Sequence, residues 1–369
     1  MTHPKFAFRN LPSEVFLLLY HLAFAVIFTW YLNTYGGDAI RYWNLTAETG
    51  HHPQSWMDHW GTRSFFIQWL NYFPAKILGL PFWLGNLCYA LVSFWAIREV
   101  WRMVMAYFPG VSNTLNHWVL LLLFLSPNLH FWTSGIGKES LGFLGLVMFM
   151  KGSLDLRKNW YWILFGVGLS YMVRPLQGGI LLAFVLPLFW WEKEFPSWLK
   201  WGVSLIILVL GLLALRFLLY ITHIDTLNFQ GIAQFSEEQM TFLEGFAAGS
   251  QVPMSEYSWM MKLWTLFFRP FVGEAAGFWQ WASALENLVA LVLLFLFLFD
   301  INRFRFRSVP GFVWIGIAFG MILMFVYALT LNNLGIIMRM KSVYMLFFYL
   351  LWVWKGSGEG ECRIKSVSM

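Results

Sequence analysis

The sequence predicts an all-α protein that crosses a membrane many times. Apolar runs of about 20 residues recur along the whole chain, enough to cross a hydrocarbon core of about 30 Å. Of the 369 residues, 59% are hydrophobic and only 12% charged, and the mean hydropathy is +0.59. The short alternating segments of a membrane β-barrel are absent.

Lys5 and Arg9 precede a first span expected at 14–34, a bias that places the N-terminus in the cytoplasm. No small-residue cleavage site follows it, so it reads as a retained span and not a signal peptide. A polar external loop comes next, about 35–80. It holds GGDAIRYW (36–43), HHPQSWMDHWGTR (51–63) and SFFIQWLNYFPAKILGL (64–80), the last an amphipathic stretch suited to the interface plane. A second span, near 82–101, returns to Arg98 and Arg102. The third, near 116–133, runs out to SPNLHFWTSGIGKES. The fourth, near 139–151, comes back to Lys151, Arg157 and Lys158. A short fifth (160–173) reaches Arg174-Pro175, and a sixth (177–191) returns to Glu192, Lys193 and Lys200.

The seventh span (201–221) leads into the largest external loop, about 222–275. The eighth (277–299) ends at RFRFR (303–307), the ninth (311–331) at Asn332-Asn333, and the last (341–354) at a Gly/Ser-rich tail, 356–369, expected to be disordered. About ten spans are thus expected in one integral membrane domain, 1–355, with both termini cytoplasmic. Fifteen of the 25 Lys and Arg fall in the shorter inner segments and nine in the longer outer ones, as the positive-inside rule requires.

The net charge of +6 is scattered over short loops with no basic run or stripe, which argues against nucleic acid as a partner. Cys88 lies in an expected span and Cys362 in the tail, and no zinc spacing occurs. His51, His52, Asp58 and His59 are close in sequence, but no HExxH or helical spacing supports a divalent ion. The sequence requires no cofactor, and a divalent metal is left open but without support. Asn44-Leu45-Thr46 formally matches a glycosylation sequon.

Four cations, Lys138, Arg174, Arg269 and Arg339, sit at the external ends of apolar segments. Isolated charges there are costly and usually meet something negative. Lys138 lies in GIGKES at a helix start, where backbone N–H groups favour an anion. Arg174 and Arg269 each precede a proline that marks a helix end or kink; a guanidinium there either snorkels to the interface or binds phosphate oxygens bidentately. Asp38 follows two glycines after the first span. It suits a turn, and it suits a general base that takes the proton of an attacking hydroxyl. Arg41 and Tyr42 follow it, and Glu139 follows Lys138. Glu274 pairs with Arg269 or acts as a second acid. Asn332 and Asn333 bind sugar hydroxyls or cap helices. Glu286, ten residues into the eighth span, has Arg216 as its candidate partner. Tyr42, Trp43 and Trp132 are candidates to stack on sugar rings.

The passage GGDAIRYW, an acid in the first external loop followed by an Arg-Tyr pair, resembles the GT-C superfamily of membrane glycosyltransferases. SPNLHFWTSGIGKESLGF, YMVRPLQGG, LFFRPFVGEAAGFWQWASALENL and NNLGIIMRMKSVYMLFF are similar to segments of glycosyltransferase-like or Wzy-like polymerase proteins from bacterial exopolysaccharide and O-antigen clusters. The resemblance implies a GT-C-like fold and Asp38 as catalytic base. Its implied donor is a sugar on polyprenyl phosphate or pyrophosphate, and its acceptor a saccharide or lipid-linked saccharide. The site would lie on the external face of a bacterial inner membrane. Arg41, Tyr42, Lys138, Glu139, Arg174, Arg269, Glu274, Asn333 and Arg339 are its expected substrate-binding residues. Ala39 stands where that superfamily commonly has a second acid, which keeps the polymerase reading open beside the transferase. Two other classes also fit the sequence: a flippase or transporter for lipid-linked or anionic substrates, and a non-catalytic envelope assembly subunit.

Overall fold

The computed structural model describes residues 11–47, 55–108, 114–224, 228–245, 249–274, 277–304 and 306–354. Among these it is helical throughout, and the only strand-like feature is one antiparallel bridge between Gln251 and Asn333. In chain order the first eight helices are α1 (Leu11–Tyr35), α2 (Asp38–Trp43), α3 (Ser64–Asn71), α4 (Phe82–Tyr107), α5 (Thr114–Phe124), α6 (Pro127–Thr133), α7 (Lys138–Ser153) and α8 (Leu156–Val173). There follow α9 (Pro175–Trp191), α10 (Ser197–Thr222), α11 (Phe229–Glu244), α12 (Trp259–Phe268), α13 (Phe278–Phe299), α14 (Gly311–Thr330), α15 (Leu334–Lys341) and α16 (Met345–Trp352).

By length and composition four of the described helices can cross a membrane: Ser13–Tyr35, Ser197–Thr222, Phe278–Phe299 and Gly311–Thr330. The pair α15 and α16, bent by 65°, makes up to a fifth. All ten segments expected as spans contain helix, but the remainder fall short for identifiable reasons. The third breaks at Ser126-Pro127 into α5 and α6, because proline is tolerated only in the first turn of a new helix. α7, at 16 residues, rises only about 24 Å. α4 is long but carries Arg98, Glu99 and Arg102. The stretch expected as the largest external loop is not plain loop: it contains α11 and α12. The first external loop likewise contains α2, α3 and two single turns, Met57–His59 and Tyr72–Ile77.

α7 is the centre of the bundle. It is buried from Glu139 to Met150 on every side, as expected of a helix apolar all round. α8 and α4 pack against it, and α1 packs on α4. A buried polar contact joins these layers: His21 Nδ1 lies 2.9 Å from His130 Nδ1, and His21 Nε2 lies 2.9 Å from Ser93 Oγ. By contrast α10 is largely exposed and rests mainly on α9.

The two ends of α1 separate two charged regions. The helix rises about 37 Å over its 25 residues. At its start Glu14 accepts hydrogen bonds from Arg98 (2.7 Å) and Arg102 (3.0 Å), while Glu99 meets Lys151 at 3.0 Å. At its other end Gly36, with φ of +76°, donates its N–H to Leu32 O at 2.8 Å. This left-handed stop favours glycine. A Cβ on Gly37, which also has positive φ, would lie 2.6 Å from Leu32 Cδ2. The two glycines therefore let the chain turn tightly and place Asp38 as the first residue of α2.

Candidate functional site

A chain of alternating charges runs across this second end. Arg339 Nη1 donates to Asp38 Oδ2 at 3.0 Å. Its Nε lies 2.7 Å from Glu139 Oε1, an ion-pair contact without the alignment of a hydrogen bond. Arg174 Nη2 donates to the same Glu139 oxygen. Glu139 is 2% exposed, whereas Asp38 is 51% exposed. One carboxylate is therefore a buried anchor, and the other remains open to solvent. Five of the expected site residues meet here: Asp38, Lys138, Glu139, Arg174 and Arg339. Tyr42 joins them through its ring, 5.5 Å from Lys138 Nζ. Burial first, and then the charge of Asp38, pushes the Tyr42 phenol above its usual pKa.

Local sequence explains how these side chains arrive. α15 carries Arg339, and its start is capped by Asn333, whose Oδ1 accepts from Ile336 N at 3.2 Å and from Ser250 Oγ at 3.1 Å. The Asn333 carboxamide thus positions the helix. Asn332 donates to Met240 O and Glu244 Oε1. The GIGKES turn is pinned by Asn86, whose Oδ1 accepts from Ile136 N at 2.9 Å. A Cβ on Gly135 would lie 2.2 Å from the Phe28 ring, so the turn approaches α1 as only glycine permits. Arg174 is the single extended residue between α8 and α9, with Pro175 opening α9.

Arg269 and Glu274 form a separate pair. Arg269 Nε donates to Glu274 Oε1 at 2.7 Å, and Nη1 donates to the Tyr257 hydroxyl at 2.9 Å. Burial raises the Glu274 pKa, but the Arg269 hydrogen bonds, the Phe271 N–H and the Arg269 charge outweigh it and hold the carboxyl below its usual value. Both residues line a cavity of about 650 Å³ whose wall also includes Tyr31, Phe131, Trp132, Trp279 and Glu286. Trp132 links the cavity to the charged chain, because the Arg339 guanidinium sits 5.6 Å from its ring. The aromatic wall is itself packed, with Phe131 5.3 Å from Tyr31 and 5.5 Å from Trp279.

Several sequence readings are corrected. Glu286 is not partnered by Arg216, which is exposed on α10. It instead accepts from Ser126 Oγ (2.5 Å) and Asn128 N (2.8 Å), capping the start of α6 from α13. Trp43 is 7% exposed and packs in the core, so it offers no face to a sugar. Arg41 is exposed, and among the described residues its only polar contact is a long one to Ala47 O at 3.4 Å. His51, His52 and Cys362 lie outside the described residues, and among the described ones no group of three metal-ligating side chains occurs. His59 is 1% exposed and packs on Tyr72.

Two residues were missed. Lys341, 1% exposed, donates to Asn287 Oδ1 (2.7 Å), Phe267 O (3.0 Å) and Arg269 O (3.3 Å). It closes the end of α12 from α15, two residues after Arg339; its place beside Arg339 was the available signal. Arg63 at the start of α3 is the other residue not singled out; its N–H donates to Met172 O at 2.7 Å, near Arg174. It sat in a polar loop where a cation needs no explanation. Comparison with known proteins adds no relative: no family model, no curated protein and no solved structure matches the chain.

Proposed function

We propose that the protein is a multi-pass membrane glycosyltransferase or polysaccharide polymerase that works at the Asp38 end of the bundle. The supporting observation is a half-exposed carboxylate, held by Arg339, beside an aromatic-lined cavity. In this reading Asp38 takes the proton of an acceptor hydroxyl as that oxygen attacks the anomeric carbon. The bond from that carbon to the phosphate oxygen breaks, and the phosphate leaves with the electron pair. Cations at the site stabilise the charge that develops on it. The donor is a sugar on polyprenyl phosphate or pyrophosphate, and the acceptor a saccharide or lipid-linked saccharide. Trp132 and Trp279 offer ring faces to the sugar, and the cavity wall at residues 249–252 and Arg269-Pro270 helps to exclude water from the reaction. The chain has about ten membrane-embedded segments in a GT-C-like arrangement in a bacterial inner membrane. The Glu14–Arg98–Arg102 end faces the cytoplasm, by the same basic bias that the loops carry, and Asp38 faces outward.

The test is mass spectrometry of polyprenyl-linked glycans in cells that express the wild type or Asp38→Asn at equal levels. Asp38 is half exposed and holds a single ion pair, so the variant folds. The expected result is accumulation of the lipid-linked donor and loss of its product. Unchanged lipid-linked glycans in a well-expressed Asp38→Asn protein would remove the assignment.

A further inference from the structure

Not every cation at the Asp38 end is engaged by a carboxylate. Arg174 and Arg339 both hold Glu139, and Arg339 also holds Asp38. Among the described residues Lys138 has no acid within ion-pair range, and its Nζ donates only to Ser64 Oγ, at 3.0 Å, above the Tyr42 ring. Arg63, the residue before Ser64, is exposed and makes no side-chain hydrogen bond or ion pair among the described residues. Its charge nevertheless bears on Lys138, as do those of Arg174, Arg339 and Glu139. Among the described residues Lys138 thus sits among like charges without an ion pair of its own, and like charges in such a place call for a counter-anion.

The backbone makes the same point independently. Arg63 has φ of +62° and ψ of −123°, a region in which glycine is cheap and a branched-off side chain is strained. Its N–H donates to Met172 O at 2.7 Å, which holds this strained residue beside the end of α8, two residues from Arg174. An exposed arginine whose side chain makes no hydrogen bond or ion pair among the described residues gains nothing from that side chain in this strained position. A ligand supplies that gain.

We propose that Arg63 and Lys138 form the anion-binding subsite, with Ser64 and Tyr42 positioning the lysine, and that Arg174 and Arg339 serve to position Glu139 and Asp38. The ligand is a phosphate or pyrophosphate group. A planar guanidinium fork on Arg63 and a compact ammonium bonded to the adjacent Ser64 suit a multiply charged tetrahedral anion. The subsite rests on the glycosyl-transfer reading only for the lipid that carries the phosphate; the anion site itself stands on the charges and contacts above.

The experiment measures binding of polyprenyl monophosphate, inorganic phosphate and inorganic pyrophosphate to the full-length protein in neutral detergent. The variants are Arg63→Gln, Arg63→Gly, Lys138→Gln, Arg339→Gln and, as a charge control, the exposed Lys76→Gln. Arg63→Gln and Lys138→Gln should each weaken binding about tenfold or more, the loss of one charge-assisted contact, and Lys76→Gln should not. Arg63→Gly should weaken binding while raising the melting temperature, because it relieves the positive φ. A merely structural role for Arg63 would not separate these two readouts.

If the lipid binds and inorganic pyrophosphate competes with it, the head group is what is recognised. If the inorganic anions bind with the same loss in the variants but the lipid binds no better, the subsite stands and the polyprenyl donor reading fails. Lipid binding that survives both Arg63→Gln and Lys138→Gln but is lost in Arg339→Gln overturns the subsite and leaves the glycosyl-transfer reading intact. A wild type that binds none of the three probes overturns the subsite.

Discussion

Glu139→Gln is the most informative single change for the architecture of the charged end. Glu139 is 2% exposed, and the two guanidiniums on it, Arg174 and Arg339, are 16% and 20% exposed. Glutamine keeps the shape but removes the charge, leaving Arg174 without its carboxylate and Arg339 with Asp38 alone. Removing one member of a buried ion pair costs about 3–5 kcal/mol, because the remaining charge is stranded away from water. Both arginines retain some access to water, so the lower end, about 3 kcal/mol, is expected. The assay is reversible unfolding by sodium dodecyl sulfate titration in mixed micelles. It is run on wild type, Glu139→Gln, Arg174→Met and the double variant. Residues in contact couple, so the double should cost less than the sum of the singles by about 0.5–3 kcal/mol. Glu139→Gln within about 0.5 kcal/mol of wild type, or strictly additive singles, would refute the claim that Glu139 anchors both arginines.

Lys341→Met should strand Phe267 O, Arg269 O and Asn287 Oδ1. At about 1–3 kcal/mol for a buried polar group left unpaired, the loss should be visible in the same titration. Faster amide hydrogen exchange confined to the end of α12 would locate it. Glu274 has a folded-state pKa held below its unfolded value. Its pair with Arg269 therefore contributes stability that is fully present above the unfolded carboxylate pKa of about 4.3 and is lost as pH falls through the lowered folded value. The stability gap between wild type and Glu274→Gln should be constant from pH 7 to 6 and shrink below about pH 4. A gap that persists unchanged to pH 3 would contradict the pairing. Gly135→Ala places a Cβ 2.2 Å from the buried Phe28 ring. It should destabilise by about 1–3 kcal/mol through overpacking, and Phe28→Leu in the same chain should recover part of the loss.

The positions of the helices were legible in the sequence because apolar runs, prolines and glycines act locally. Each of the ten apolar segments contains helix, and the stops at Gly36, Ser126-Pro127 and Arg174-Pro175 fall where the chain chemistry puts them. Asp38, Lys138, Arg174 and Arg339 were also legible as candidates, since a charge at the end of an apolar segment is conspicuous in one dimension. What the charges do to one another was not. Asp38 and Arg339 are 301 residues apart in sequence, and Arg174 and Glu139 are 35 apart. No local rule says that two of the expected phosphate-binding arginines spend their forks on one internal glutamate. Nor does one say that Asn333 caps α15 or that Glu286 caps α6. Arg63 was invisible for the opposite reason: in a polar loop a cation is unremarkable until the fold bonds Lys138 to its neighbour Ser64. Hydropathy is a property of each segment and survives without its neighbours. Partnership among charges depends on which segment ends converge, and only packing around α7 decides that.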